Sequence, residues 1–454
     1  MAAGRPAPKR LVFLGAGAVG TAALFLLSRF AAVDYGNVFV IDAGARNRHR
    51  VIERGANFIE AVISRDNFST VLGRYLSVGD VLVNLASGIG ARDVIRFCQS
   101  KGILYVDSCT DVWDGEGVYP SGTHAQRKRI LDECSRGAGF PTALICHGAN
   151  PGLITHFAKA ALRYAAASSD YGVAQSASQS SFATLARAMD VSFVQLTDRD
   201  SQECGHRRCR CPCNTWSLSA LFEEMFENAS LTCGTHETIA GATFAASRPM
   251  DDARQAVELG RPARQVMSRS WSPERGPFVG YVVGHEEVFA LGELLSLCDS
   301  GEPRRYAPSV SFVYSPCPRA RSAVTGAMRA GTSRHGDVLA ETVERGGEEI
   351  GALILRQGTS QVHWYGCSLD IATARASVPF GNATTVQAAA GVLAGLCWVL
   401  RHPSCGIVEP EQLDHDEILR DAGPYLGRVF GETSHWHPHP SRHVPSWRLD
   451  DLIL

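Results

Sequence analysis

The sequence predicts an α/β protein: an N-terminal doubly wound parallel sheet followed by a second, α+β domain with a largely antiparallel sheet. Three observations carry this. Short apolar runs alternate with helix-patterned stretches over residues 1–150. A Gly-x-Gly-x-x-Gly loop joins the first run to the first helix. After Pro151 the alternation gives way to longer and less regular strand patterns. Strictly alternating strand and helix with short connections is the signature of parallel sheets.

The elements follow in order. "RLVFLG" is a strand ending in glycine, and "GTAALFLLSRFAA" has helical periodicity. "NVFVID" is a second strand, "DNFSTVLGRYL" a helix and "DVLVNLA" a third strand. "ARDVIRFCQSKG" is a helix closed by Gly102, since glycine takes positive φ at little cost. "ILYVDS" and "TALICHG" are strands flanking the helix "HAQRKRILDECSRG", whose "QRKRI" reads as a solvated face. "LITHFAKAALRYAA" is a further helix, and the polar "SSDYGVAQSASQSS" reads as a linker. Beyond it, "VSFVQL", "RQVMSRSWS", "PFVGYVVGH", "SVSFVYS" and "QVHWYGCSL" are strands, and 384–401 is a long helix rich in small residues. The expected division is a cofactor domain of residues 1–152 with 383–454, and a substrate and oligomerisation domain of 153–382.

Composition excludes several classes. The chain has 454 residues, with Lys+Arg 44 against Asp+Glu 46, so no concentrated basic face argues for nucleic acid. "MAAGRPAPKR" runs straight into a strand pattern without the apolar core of a signal peptide. No apolar run reaches the roughly 18–20 residues of a membrane span, so neither membrane nor nucleic acid is an expected partner. The 14 Cys are mostly scattered singly in apolar runs, as at Cys98, Cys146, Cys367 and Cys397. That pattern suits reduced, buried thiols in a cytoplasmic enzyme.

"VFLGAGAVG" places Gly15, Gly17 and Gly20 in dinucleotide-binding spacing, with Ala18 and Val19 opening the helix. Gly15 would make the tight turn, Gly17 would let the backbone approach a diphosphate, and Gly20 would let the helix pack on the sheet. Asp42, about 20 residues further on, would accept hydrogen bonds from the adenosine ribose. A carboxylate there repels a 2′-phosphate, so the expected cofactor is NAD rather than NADP, although Arg46 lies nearby. Together these mark a Rossmann domain.

Ligands of such sheets bind at the carboxyl ends of the strands. Here those ends are "NLASGIG", "VDSCTDVW" and "ICHGANPGL". Asn150 precedes Pro151, which suits a first helical turn, so Asn150 reads either as a helix cap or as an amide that also orients a substrate amine or the nicotinamide.

At this point the chain resembles the bacterial-type homospermidine synthase family, relatives of saccharopine-reductase-like enzymes. The resemblance rests on "HGANPGLITHFAKAAL", "NTWS", "GTHE", "WSPERGPFVGYVVGHEE", "VHWYGCSL", "NATTVQAAAGVLAGLCWVL", "GIVE" and "PYLG", in family order across nearly the whole chain. It implies a transferase of polyamine biosynthesis that moves an aminobutyl group between diamines. NAD takes a hydride from the carbon bearing one amine of putrescine, the imine loses ammonia to a second diamine, and the hydride returns to give homospermidine. It also implies a homodimer or larger assembly. By resemblance His285 is a proton-shuttling cleft histidine, Asn150 and Asp111 join it, and Glu237 partners an ammonium. Asp107 lies in a shared strand end on the cofactor side, and Glu348 lines the amine pocket.

Other pocket positions depart from the family: Gly88 and Ser219 stand where it carries acids, and Cys233 where it carries tryptophan. A diamine dication gains from carboxylates at its ends and from an aromatic face. The nicotinamide half therefore reads as retained and the amine half as rebuilt. A related imine-forming dehydrogenase with net redox change, acting on another amine or amino acid, and a weakly active NAD-binding regulator are the alternatives. "CGHRRCRCPC" (204–213) lacks a second, distant Cys pair and reads as a reduced Arg-rich loop rather than a zinc site. The His-rich 435–443 reads as a surface tail, and no metal is expected.

Overall fold

The computed structural model describes residues 8–113, 122–168, 181–205, 213–237, 247–250, 255–298, 306–330, 337–338, 341–438 and 447–454. All but the end residues of the expected linker 168–181, most of the cysteine-rich 204–213 and the end of the His-rich tail fall outside them. The chain divides into two compact units. The first is Met1–Leu153 with Ala372–Leu426; the second is Ile154–Ile371 with Gly427–Leu454.

In the first unit, seven described strands form a parallel sheet in the spatial order Ile407–Val408, Ala143–Leu144, Leu104–Asp107, Val81–Asn84, Leu11–Leu14, Val38–Asp42, Asn57–Glu60. The central strands are buried throughout and mostly apolar because helices cover both faces. Sequence order reverses between Leu11–Leu14 and Val81–Asn84, which creates the crevice where ligands of this fold class sit.

Helix Ala18–Phe30 packs on helix Ala383–Arg401, whose N-terminus is closed by a reciprocal capping box of Asn382 and Thr385. The latter helix is long and apolar enough to cross a bilayer, yet 83% of its most apolar window is buried within the protein, as suits a core helix. "QRKRI" is not wholly a solvated face. Arg127 is 2% exposed and bonds Glu409 through two nitrogens at 2.6 and 2.8 Å, because a guanidinium fork can satisfy a buried carboxylate bidentately.

The second unit is built on a ten-stranded mixed sheet. Val191–Asp200 lies between Ser309–Ser315, its parallel neighbour, and Gly347–Arg356, its antiparallel one. All other pairs in this sheet are antiparallel. The closing strand Arg428–Ser434 pairs with Val362–Asp370, so the chain from Gly427 onward lies with the second unit and not with the first, as the sequence suggested.

Candidate functional site

The glycine loop has the geometry of a dinucleotide cradle. Gly15 sits at φ +94°, and a Cβ there would lie 2.9 Å from the Leu85 carbonyl oxygen. A Cβ on Gly20 would stand 2.2 Å from the Gly15 oxygen, so only glycine lets the helix approach the turn. Gly17 is different: nothing lies within 4 Å of its would-be Cβ. It is the N-cap of helix Ala18–Phe30 and supplies no side-chain cap. The helix thus offers its first N–H groups, those of Ala18 and Val19 among them, to an anion. Open space and uncapped donors fit a diphosphate.

Asp42 first shapes the loop. Its Oδ2 accepts from the Ala16 amide at 2.6 Å and its Oδ1 from the Gly44 amide at 2.7 Å. A carboxylate has about four acceptor sites, so capacity for ribose hydroxyls remains.

Three residues at the strand ends take roles other than those expected. Asp107 is fully buried, its carboxylate accepting from the Tyr105 hydroxyl at 2.8 Å and the Cys146 amide at 2.6 Å. It fastens adjacent strand ends. Asp111 accepts from the Gly88 amide at 2.6 Å and from Val112 at 2.8 Å, so it clamps the loop after Val81–Asn84. Gly88 itself sits at φ +72°, a backbone that favours glycine over an acid. Asn150 does not cap the following helix. That helix starts at Leu153, because Gly148 N donates to Pro151 O and Leu153 N to Gly148 O.

In the second unit, strand register places Glu348, expected from the sequence, beside Asp198 and Asp200, which sequence reading missed. Asp200 stands opposite Glu348, and Asp198 opposite Tyr314. The Trp216 indole donates to the Tyr314 hydroxyl at 3.0 Å. Burial pushes Asp200 up to about 6, although hydrogen bonds from Thr215 and Gln202 pull the other way. Burial, then Asp198 and Asp200, push the Tyr314 hydroxyl well above its usual value. The alternating acids of "LTDRD", in a strand buried almost throughout, were the legible signal: residues i and i+2 share a face. Trp216, from the shared "NTWS", supplies an aromatic ring beside these acids.

His285 is buried against Phe312, with ring centroids 4.6 Å apart. Its Nδ1 faces Glu287 at 3.2 Å and its Nε2 faces Glu224 at 3.3 Å. Burial alone lowers its pKa, but the two carboxylates outweigh it and raise the ring well above its usual value. The two carboxylates thus favour the protonated form of the His285 ring.

Glu237 and Cys233 also depart from expectation. Glu237 Oε1 accepts from the Leu449 amide at 2.9 Å and the Ser309 hydroxyl at 3.3 Å, and lies 3.2 Å from His236. It holds the C-terminal helix Leu449–Leu452 in place. Removing it leaves a backbone donor without its partner, so Glu237→Ala should cost about 1–3 kcal/mol in urea unfolding. Amide exchange at 447–454 should accelerate in the same variant. Cys233 packs in the apolar core with Leu231, Val257 and Trp447, and burial pushes its thiol up to about 12. It is core rather than pocket wall. Brief alkylation at pH 8 should label the exposed Cys109 and Cys298 and spare Cys233, as read by peptide mass spectrometry. Ser219 is half-buried on helix Leu218–Phe226, 3.0 Å from the capping hydroxyl of Ser217.

The parallel sheet, glycine turn and open helix N-terminus define a Rossmann dinucleotide-binding protein, and residues 11–133 match the family model described as "Saccharopine dehydrogenase NADP binding domain". The chain is 30% identical over 455 residues to homospermidine synthase of Blastochloris viridis, covering 95% of this chain and 92% of that one. It is 28% identical over 448 residues to homospermidine synthase of Mesorhizobium japonicum (strain LMG 29417 / CECT 9101 / MAFF 303099), covering 94% and 91%. The crystal structure of homospermidine synthase from Legionella pneumophila in complex with NAD superposes with a TM-score of 0.89 at 29% identity, covering 99% of both chains. The chain belongs to the homospermidine synthase family.

Proposed function

We propose that the protein is an NAD-dependent homospermidine synthase acting on putrescine or a related diamine. The observation that carries this is similarity to homospermidine synthases over 95% of the chain, both units included. The Legionella relative holds NAD, and the open Gly17 and uncapped helix here suit the same dinucleotide. NAD, when bound, supplies reversible hydride acceptance at a carbon bearing an amine.

The residues of this chain do the rest. Gly17, Ala18 and Val19 present backbone donors to the diphosphate, and the charge of Asp42 disfavours a 2′-phosphate. Asp198, Asp200 and Glu348, beside Tyr314 and Trp216, give the second unit the acids and aromatic face that an alkylammonium needs. Asp200, pushed up to about 6, is poised to exchange a proton near neutrality. A homo-oligomer is the expected assembly, and light scattering checks it.

The match of residues 11–133 favours one second reading, a saccharopine-reductase-type amine dehydrogenase with net NADH formation. One incubation separates the two: purified protein, catalytic NAD and labelled putrescine, with ammonia, homospermidine and NADH followed. Homospermidine and ammonia without NADH build-up support the synthase. Stoichiometric NADH with another amine supports the dehydrogenase, and no turnover on a broad amine panel overturns both.

A further inference from the structure

Asn47 stands at the N-cap of helix Arg48–Glu53, where an asparagine side chain ordinarily accepts from the first helical N–H groups. Here the side chain caps nothing. Its Nδ2 donates instead to the Ala16 carbonyl at 2.7 Å, 31 residues back and inside the glycine loop. We infer that Asn47 is a positioning residue for the dinucleotide. It locks the peptide between Ala16 and Gly17, and so presets the first helical turn that faces the diphosphate. What the loop holds rests on the NAD reading; how the loop is held does not.

The loop is fastened residue by residue. Gly15 N donates to the Ile41 carbonyl at 2.9 Å, Ala16 N donates to Asp42 Oδ2 at 2.6 Å, and the Ala16 carbonyl accepts from Asn47. Ile41 and Asp42 end strand Val38–Asp42, and Asn47 precedes the helix that follows it. Ala16 is 3% exposed, so its backbone groups depend on protein partners rather than on water. Its carbonyl only accepts, so the atom of Asn47 that faces it is the amide nitrogen.

The Ala16–Gly17 peptide is trans, and in a planar trans peptide C=O and N–H point in opposite directions. A carbonyl drawn to Asn47 therefore turns the Gly17 N–H away from Asn47. Gly17 meets no heavy atom within 4 Å of a would-be Cβ, so neither a side chain nor a neighbour restrains that plane from its side. Glycine would let it rotate. Asn47 removes that freedom before the cofactor arrives, which lowers the ordering cost of binding.

The test measures NAD dissociation constants by calorimetry on the full chain. Asn47→Ala removes the donor and should weaken NAD about tenfold, as expected for one lost hydrogen bond. In the synthase assay KM for NAD should rise while kcat at saturating NAD stays unchanged. Asn47→Asp discriminates between the two roles. It has nearly the same size, caps a helix as well as asparagine and suits the dipole, but offers Ala16 only acceptors. It should bind NAD more weakly than Asn47→Ala does. The deficit should persist at about 1 M salt, where charges are screened beyond roughly 3 Å. Asn47→Gln keeps the donor and should recover part of the affinity. Wild-type affinity in Asn47→Asp would make Asn47 an ordinary cap and overturn the proposal. A deficit confined to low salt would be charge repulsion alone and overturns it as well. A wild type without NAD affinity overturns the cofactor reading, and this proposal with it.

Discussion

Gly17→Glu will abolish NAD binding while leaving the fold intact. The position has no heavy atom within 4 Å of a would-be Cβ, so the added side chain meets open space. A carboxylate at this N-cap can itself accept from the first helical N–H groups and favour the helix dipole by about 0.3–1 kcal/mol. The same carboxylate then occupies the place of the diphosphate and repels it. We expect the NAD dissociation constant to rise more than 100-fold in calorimetric titration, with the melting temperature changed by no more than about 2 °C. Gly20→Ala is the contrasting case. Its Cβ would lie 2.2 Å from a backbone oxygen, so it should lose stability and cofactor together. Undiminished NAD affinity in Gly17→Glu would falsify the assignment of this loop as the cofactor cradle.

Where chemistry is local, the sequence was enough. The glycine spacing dictates its own turn, and five strands of the parallel sheet could be read from their apolar runs. Asn57–Glu60 was missed because it is an edge strand without a strong apolar pattern, and Ile407–Val408 because two residues carry no period. Gly347–Arg356 was missed for another reason: nearly the whole strand is buried, so it shows no alternation.

Roles within the site were harder, because each depends on a distant partner. Nothing around Glu237 announces that its carboxylate holds the amide of Leu449. The pairing of Asp200 with Glu348 is a matter of register between strands far apart in sequence. His285 is buried between Glu287 on its own helix and Glu224 on a separate one. The motifs located the neighbourhood, and long-range packing decided what each residue does there.

That distinction predicts which departures from the family pattern can be reversed. Ser219→Glu should fold normally and raise putrescine turnover. The residue is half-buried on the first turn of its helix, where a carboxylate suits the dipole, and it touches only the Ser217 hydroxyl among the described hydrogen bonds. Cys233→Trp should fail for a steric reason. Cys233 is 7% exposed within an apolar cluster that already holds Trp271, Trp364 and Trp447, and overpacking a filled core costs about 1–3 kcal/mol or more. Gly88→Asp is strained at φ +72° by roughly 1–2 kcal/mol and crowds the loop that Asp111 clamps. The triple variant should therefore be poorly folded, and the single Ser219→Glu variant should carry whatever gain is available. Urea unfolding and ammonia release from putrescine measure both arms. A well-folded Cys233→Trp protein together with an inert Ser219→Glu protein would show that the amine pocket lies against Cys233 after all. Gain in Ser219→Glu alone would show that Trp216 suffices as the aromatic face and that the pocket lacks only one acid.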